Sequence, residues 1–112
     1  MDEVEQLATI FKALSDPTRL KLVKLLSDNA PGDCPPEDCN GRGFLCVNAL
    51  AHRLGVTQSA VSQHLRILKQ AGLVRSERRG SFVHYTLDTN GLAKCKAAFQ
   101  ETLSVEFDSG KV

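Results

Sequence analysis

The residues in this 112-residue chain best suited to chemistry are its four cysteines. Cys34, Cys39 and Cys46 follow one another at spacings of five and seven, and the first two sit in a Pro/Gly-rich stretch able to fold back on the third. Three thiolates suit a soft three-coordinate ion such as arsenite, or a thiophilic divalent metal (cadmium or zinc) with a fourth ligand, which Cys95 could supply. Two other readings stand beside this one. The thiols could form a redox or persulfide switch, or Cys46 and Cys95 could be small buried hydrophobes and Cys34 and Cys39 ordinary loop residues. No paired acid and base, activated nucleophile or phosphate-cradling Gly-rich loop is present, so neither an enzyme nor an organic cofactor is expected.

A second set of residues points to a different chemistry. Between Val56 and Val74, Ala60, Val61, Leu65 and Leu68 recur at helical spacing as one apolar stripe. The opposite face carries Gln58, Ser59, Ser62, Gln63 and Arg66, short or planar hydrogen-bonding groups where a solvated face would mix Glu with Lys. Gln can pair bidentately with adenine and Arg with guanine, while Ser meets base edges or phosphate. Thr57, the cap of this helix, is counted with the DNA-contacting set. So is His64, for which a DNA contact competes with a cap over the hairpin that follows. His52 and His84 read as surface or half-buried residues.

The elements that must position these groups are legible around them. Thr57 is a good N-cap and Gly72 a good C-terminal stop. Val47, Leu50, Ala51 and Leu54 form the apolar face of a preceding helix that ends at Gly55. Helix, tight glycine turn, helix is a helix-turn-helix, spanning 46–72, whose second helix enters the major groove. Two runs of strand composition within 74–87, separated by Gly80 and Ser81, make a hairpin with Arg78 and Arg79 near its tip, placed to meet phosphates. Upstream, Val4, Leu7, Ala8, Phe11 and Leu14 mark a helix over 4–14. Asp16 and Pro17 open another over 17–28.

Residues 29–45 form a long Pro/Gly/Cys loop without periodicity. Asn90 is a cap candidate for a final helix over 90–107. Leu7 and Phe11 of the first helix, with Leu92, Phe99 and Leu103 of the last, give these two helices apolar stripes that a monomer of this size cannot easily bury, which implies a homodimer. The expected architecture is mainly α with a small β-hairpin (α+β): a single winged helix-turn-helix over 1–112, in the order ααααββα, dimeric through its terminal helices.

Charge supports a nucleic-acid partner. The net charge is only +1, but Arg42 to Tyr85 holds seven Arg/Lys against one acid, whereas the remainder holds seven against twelve. A block of +6 inside an otherwise acidic chain is the footprint of a phosphate-binding surface. A winged helix that binds only protein needs no such block. Trp is absent and aromatics are few, which disfavours stacking on single strands and leaves double-stranded DNA as the expected partner. The acidic start M-D-E-V-E-Q is wrong for a signal peptide, and no apolar run approaches the roughly 18 residues of a membrane span. A cytoplasmic protein with reduced thiols and no membrane partner is therefore expected.

Three blocks, in order, resemble the ArsR/SmtB family of winged-helix metal-sensing repressors: A-L-S-D-P-T-R-L-K-L-V-K-L-L (Ala13 to Leu26), L-A-H-R-L-G-V-T-Q-S-A-V-S-Q-H-L-R-I-L-K-Q-A-G-L-V (Leu50 to Val74) and R-R-G-S-F-V-H-Y-T-L (Arg78 to Leu87). The resemblance implies a homodimer that sits on an operator and blocks transcription until an inducer binds. It also locates a departure. Metalloid- and cadmium-sensing members carry a Cys-x-Cys pair before the recognition helix. Here the matching run is L-C-V-N-A-L, with Cys46 at the first position and Asn48 at the second. The zinc site that other members place on the last helix uses Asp, His and Glu, and Leu92 to Phe107 contains no His.

Overall fold

Local cap chemistry sets most of the helix boundaries in the computed structural model, which describes residues 2–28, 45–79 and 82–104. Helix α1 spans Glu3–Leu14 and opens on a capping box, in which Asp2 accepts from the Glu5 backbone N–H and Glu5 accepts from that of Asp2. Asp16 then accepts from the N–H groups of Thr18 and Arg19, starting α2 (Pro17–Asp28) with proline in its first turn. After a two-residue strand β1 (Leu45–Cys46) come α3 (Val47–Leu54) and α4 (Gln58–Gln70). The hairpin β2 (Val74–Arg79) and β3 (Phe82–Leu87) leads into α5 (Thr89–Leu103).

Both helices of the central pair stop in the same way. At Gly55 (φ 68°) and Gly72 (φ 80°) the chain enters the left-handed region, where a Cβ would be strained. The next N–H reaches back five residues, Val56 to Ala51 and Leu73 to Leu68, and this satisfies carbonyls the helix leaves open.

The fold is a winged helix-turn-helix. Its core is built from Ile10 and Ala13 of α1, Leu22 and Leu26 of α2, Ala49, Leu50 and Ala51 of α3, and Val61, Leu65 and Leu68 of α4, closed by Leu73 and Val74. Leu22, Leu50, Val61, Leu65, Leu68 and Leu73 are fully buried. Each such side chain is worth about 1.5–3 kcal/mol when removed from water.

Two features differ from expectation. The hairpin is not alone, because β1 pairs antiparallel with β3 (Leu45 with Tyr85, Cys46 with His84) and makes a three-stranded sheet in the order β1-β3-β2. The order of described elements is therefore ααβααββα, and residue 45 belongs to a strand where a loop was expected. Two residues are too few to show alternation, and their pairing partner lies about forty residues on. The last helix is capped by Asp88, whose carboxylate accepts from Gly91, and not by Asn90. Residues 105–107, expected to end that helix, lie outside the described residues.

Candidate nucleic-acid interface

Thr57 Oγ1 accepts from the Ala60 N–H at 3.1 Å, which fixes where α4 begins. With Val61, Leu65 and Leu68 buried against the core, the helix keeps its opposite face outward. Gln58, Ser59, Ser62, Gln63 and Arg66 consequently all face solvent. Arg78 is exposed on β2, and Arg79 is the strand's last residue, paired with Phe82. The arrangement is a hydrogen-bonding ridge on a rigid helix, with a basic strand beside it.

Two members of the expected set have partners on other helices. Gln58 donates from Nε2 to Oδ1 of Asn48 at 2.9 Å, tying the first turn of α4 to α3. His64 does not share the exposed ridge. It is half-buried, and its Nδ1 lies 3.3 Å from Nη1 of Arg19 on α2. A guanidinium only donates, so this geometry makes Nδ1 the acceptor and places the ring proton on Nε2. Arg19 also donates from Nε to the Ala13 carbonyl at 2.6 Å. Desolvation raises the carboxyl of Asp16, but the N–H groups of Arg19 and Thr18 and the charge of Arg19 together hold it below its usual range.

Three contacts that the sequence does not reveal position this surface. Asn48 ties down Gln58, Arg19 meets His64, and Lys69 donates from Nζ to Ser76 Oγ at 2.7 Å, joining α4 to β2. The first two contacts join positions ten and forty-five residues apart, beyond the reach of any periodic pattern. Gln70 also extends the exposed ridge, and its helical spacing from Ser59, Gln63 and Arg66 is a signal the sequence did carry.

The thiols are placed apart from this ridge. Cys46 is 2 % exposed, and its sulfur caps α3 by accepting from the Ala49 N–H at 3.5 Å. Across the sheet it stands opposite His84, which is buried at 1 % exposure, contrary to the surface or half-buried position expected of it. His52 is exposed. Cys95 is half-buried on α5, beside a shallow apolar recess lined by Leu92, Lys96 and Phe99, and burial pushes its thiol up and so keeps it protonated. Cys34 and Cys39 lie outside the described residues. Among the described residues, no three His, Cys, Asp or Glu side chains converge to hold an ion.

The terminal helices pack on each other within the chain. The rings of Phe11 and Phe99 meet edge to face at 5.7 Å and 87°. Leu7, expected at a dimer seam, is buried inside the protomer. By contrast Val4 is 60 % exposed, Phe11 44 % and Leu103 51 %, and α5 buries none of its residues fully. Among the described residues, no helix is long and apolar enough to cross a membrane.

The arsR family of bacterial regulatory proteins matches this chain over residues 41–76. An uncharacterised HTH-type transcriptional regulator of Methanocaldococcus jannaschii is 38 % identical over 85 residues, which are 76 % of this chain and 81 % of that protein. The arsenical resistance operon repressor of Escherichia coli K12 is 37 % identical over 78 residues, 70 % of this chain and 56 % of the repressor. Among solved structures, the homodimeric winged helix-turn-helix DNA-binding domain of a possible ArsR-family regulator from Mycobacterium bovis superposes with a TM-score of 0.64. Its sequence identity is 27 %, and the alignment covers 90 % of this chain and 81 % of that one.

Proposed function

The chain belongs to the ArsR family of bacterial regulatory proteins, and from that membership we propose that it is a homodimeric repressor released from its operator by a thiophilic metal or metalloid. The observation that carries the DNA half of this reading is the ridge Ser59, Ser62, Gln63 and Arg66, exposed on a helix whose start is fixed by its cap and whose other face is buried. Recognition helices meet base edges with such groups, and the wing's Arg78 and Arg79 would meet phosphates. Gln63→Ala or Arg66→Ala is expected to cost about 1–3 kcal/mol of binding to the chain's own promoter region and to relax sequence preference. Arg78→Ala should instead weaken all duplexes alike and flatten the salt slope by about one unit. Fluorescence anisotropy on promoter and scrambled duplexes reads both effects. Unchanged affinity and preference in both helix variants would refute the placement.

The effector half rests on Cys46, with Cys34 and Cys39 as its proposed co-ligands. Cys46 sits at the N-terminus of α3, which abuts the recognition helix through Asn48 and Gln58. An ion held there can release DNA only by binding the DNA-free conformation more tightly than the DNA-bound one. Serine can replace the Cys46 sulfur as a helix cap. Cys46→Ser is therefore expected to keep DNA affinity while losing release by arsenite or Cd²⁺. Cys34→Ser and Cys39→Ser should impair release, and Cys95→Ser, whose thiol is held protonated in an apolar recess, should do least. Titrating each variant–promoter complex with arsenite, Cd²⁺, Zn²⁺ and a persulfide donor reads the outcome. Release by the persulfide donor alone, with a disulfide formed, would replace the metal reading by a thiol switch.

A further inference from the structure

We propose that Arg19 is a positioning residue for DNA recognition, clamping the recognition helix through His64 to the C-terminal turn of α1. The proposal rests on the reading of α4 as the DNA-reading helix. One guanidinium serves three helices. Its backbone is in α2, its Nε donates to the Ala13 carbonyl at the end of α1 (2.6 Å), and its Nη1 donates to His64 Nδ1 on α4 (3.3 Å). The Asp16 carboxylate, which caps α2 through the Thr18 and Arg19 N–H groups, keeps a counter-charge beside it. Arg19, His64 and Asp16 are half-buried and Ala13 is buried, where a charge-assisted bond is less exposed to competition from water.

The geometry of α4 explains why this contact matters to recognition. Val61, Leu65 and Leu68 fix which face points inward, but apolar packing is not directional and tolerates small rotations about the helix axis. His64 flanks that buried stripe on one side, so a directional bond there sets how Ser59, Gln63 and Arg66 are aimed. Bidentate readout tolerates little misalignment, which is where a rotation of the helix would be felt. His64 thus acts from inside the protein and makes no contact with a base. The fork of the guanidinium is required, because a lysine ammonium on a flexible stem is poorly suited to hold the Ala13 and His64 acceptors together.

A double-mutant cycle on Arg19→Ala and His64→Ala tests the clamp. Affinity would be measured by fluorescence anisotropy on a duplex from the chain's own promoter region and on a scrambled duplex. Each single variant is expected to lose about tenfold on the promoter duplex and less on the scrambled one. The double variant should lose no more than either single variant, as residues acting through one contact do. A variant that is only less stable would bind both duplexes proportionately less and leave their ratio unchanged. His64→Asn is expected to restore the ratio, since the asparagine Oδ1 can stand where Nδ1 accepted, and Arg19→Lys is not.

Additive losses would show that His64 touches DNA independently of Arg19 and would overturn the clamp. So would a wild-type ratio in either single variant. Should Arg19→Ala fail to fold, His64→Ala against His64→Asn decides the question through the same ratio. Arg66→Ala is run alongside. If it alone binds like wild type, the recognition-helix reading fails. If it loses affinity while His64→Ala does not, only the clamp fails.

Discussion

Gly91→Ala is expected to destabilise the protein by at least about 2–3 kcal/mol, although alanine in a helix ordinarily gains about 1 kcal/mol over glycine. Gly91 lies in the first turn of α5, where Asp88 accepts from its N–H at 3.0 Å. Its α-carbon is pressed against the turn that ends α4. A Cβ built there would overlap the carbonyl oxygen of Gly72 and stand 2.9 Å from its carbonyl carbon. Both obstacles are backbone, so no side chain can swing aside. The Gly72 end cannot retreat easily either. Its left-handed conformation closes α4, and the Leu73 carbonyl just after it accepts from the Asp88 N–H at 2.9 Å. Opening the contact would therefore strain the end of the recognition helix and the cap of α5 together. Urea unfolding of Gly91→Ala against wild type measures the loss. A midpoint equal to or above that of wild type would show that the two turns part at little cost.

The same junction shows which features the sequence could reveal. Thr57 and Gly72 bound α4 by chemistry contained within a few residues, so its limits could be read directly. Asp88 and Asn90 are both plausible caps, and what fixes the chain at Asp88 is its N–H bonded to Leu73, fifteen residues away. Strand β1 exists because Leu45 and Cys46 meet Tyr85 and His84, which no local pattern announces. His64 looked like part of the polar ridge because its chemistry suits DNA, and only the fold brings Arg19 to it. The apolar stripes of α1 and α5 identified faces that must be covered but not what covers them. Leu7 is covered by its own chain, while Leu103 remains at 51 % exposure. For Cys46 the sequence leaves a ligand's chemistry and a small buried hydrophobe side by side. The structure buries it, and its bond to Ala49 adds a capping duty that its residue type does not disclose.

Charge placed on the outer face of α5 should separate the protomers of the proposed dimer and lower operator affinity by about 10²–10⁴-fold. A dimer turns the second half-site contact into an intramolecular step, and losing that step forfeits a factor of this size. The two-fold pair proposed here would set its recognition helices about 34 Å apart, one helical turn of DNA, so each protomer alone would grip only half of the site. Phe99→Glu puts a carboxylate into an apolar seam, where burial without a partner is costly. It also removes the edge-to-face contact with Phe11, worth about 0.5–1.5 kcal/mol within the protomer. That variant alone would confound folding with assembly. Leu103→Glu separates the two, because Leu103 is exposed on the protomer and a charge there should leave its fold intact. Sedimentation at concentrations on the order of micromolar should show Leu103→Glu as a monomer, with a wild-type far-UV circular dichroism spectrum showing the protomer fold intact. Its binding should be weak on a duplex carrying both half-sites and nearly unchanged on a duplex carrying one. A Leu103→Glu protein that stays dimeric and keeps full-site affinity would place the seam on another face.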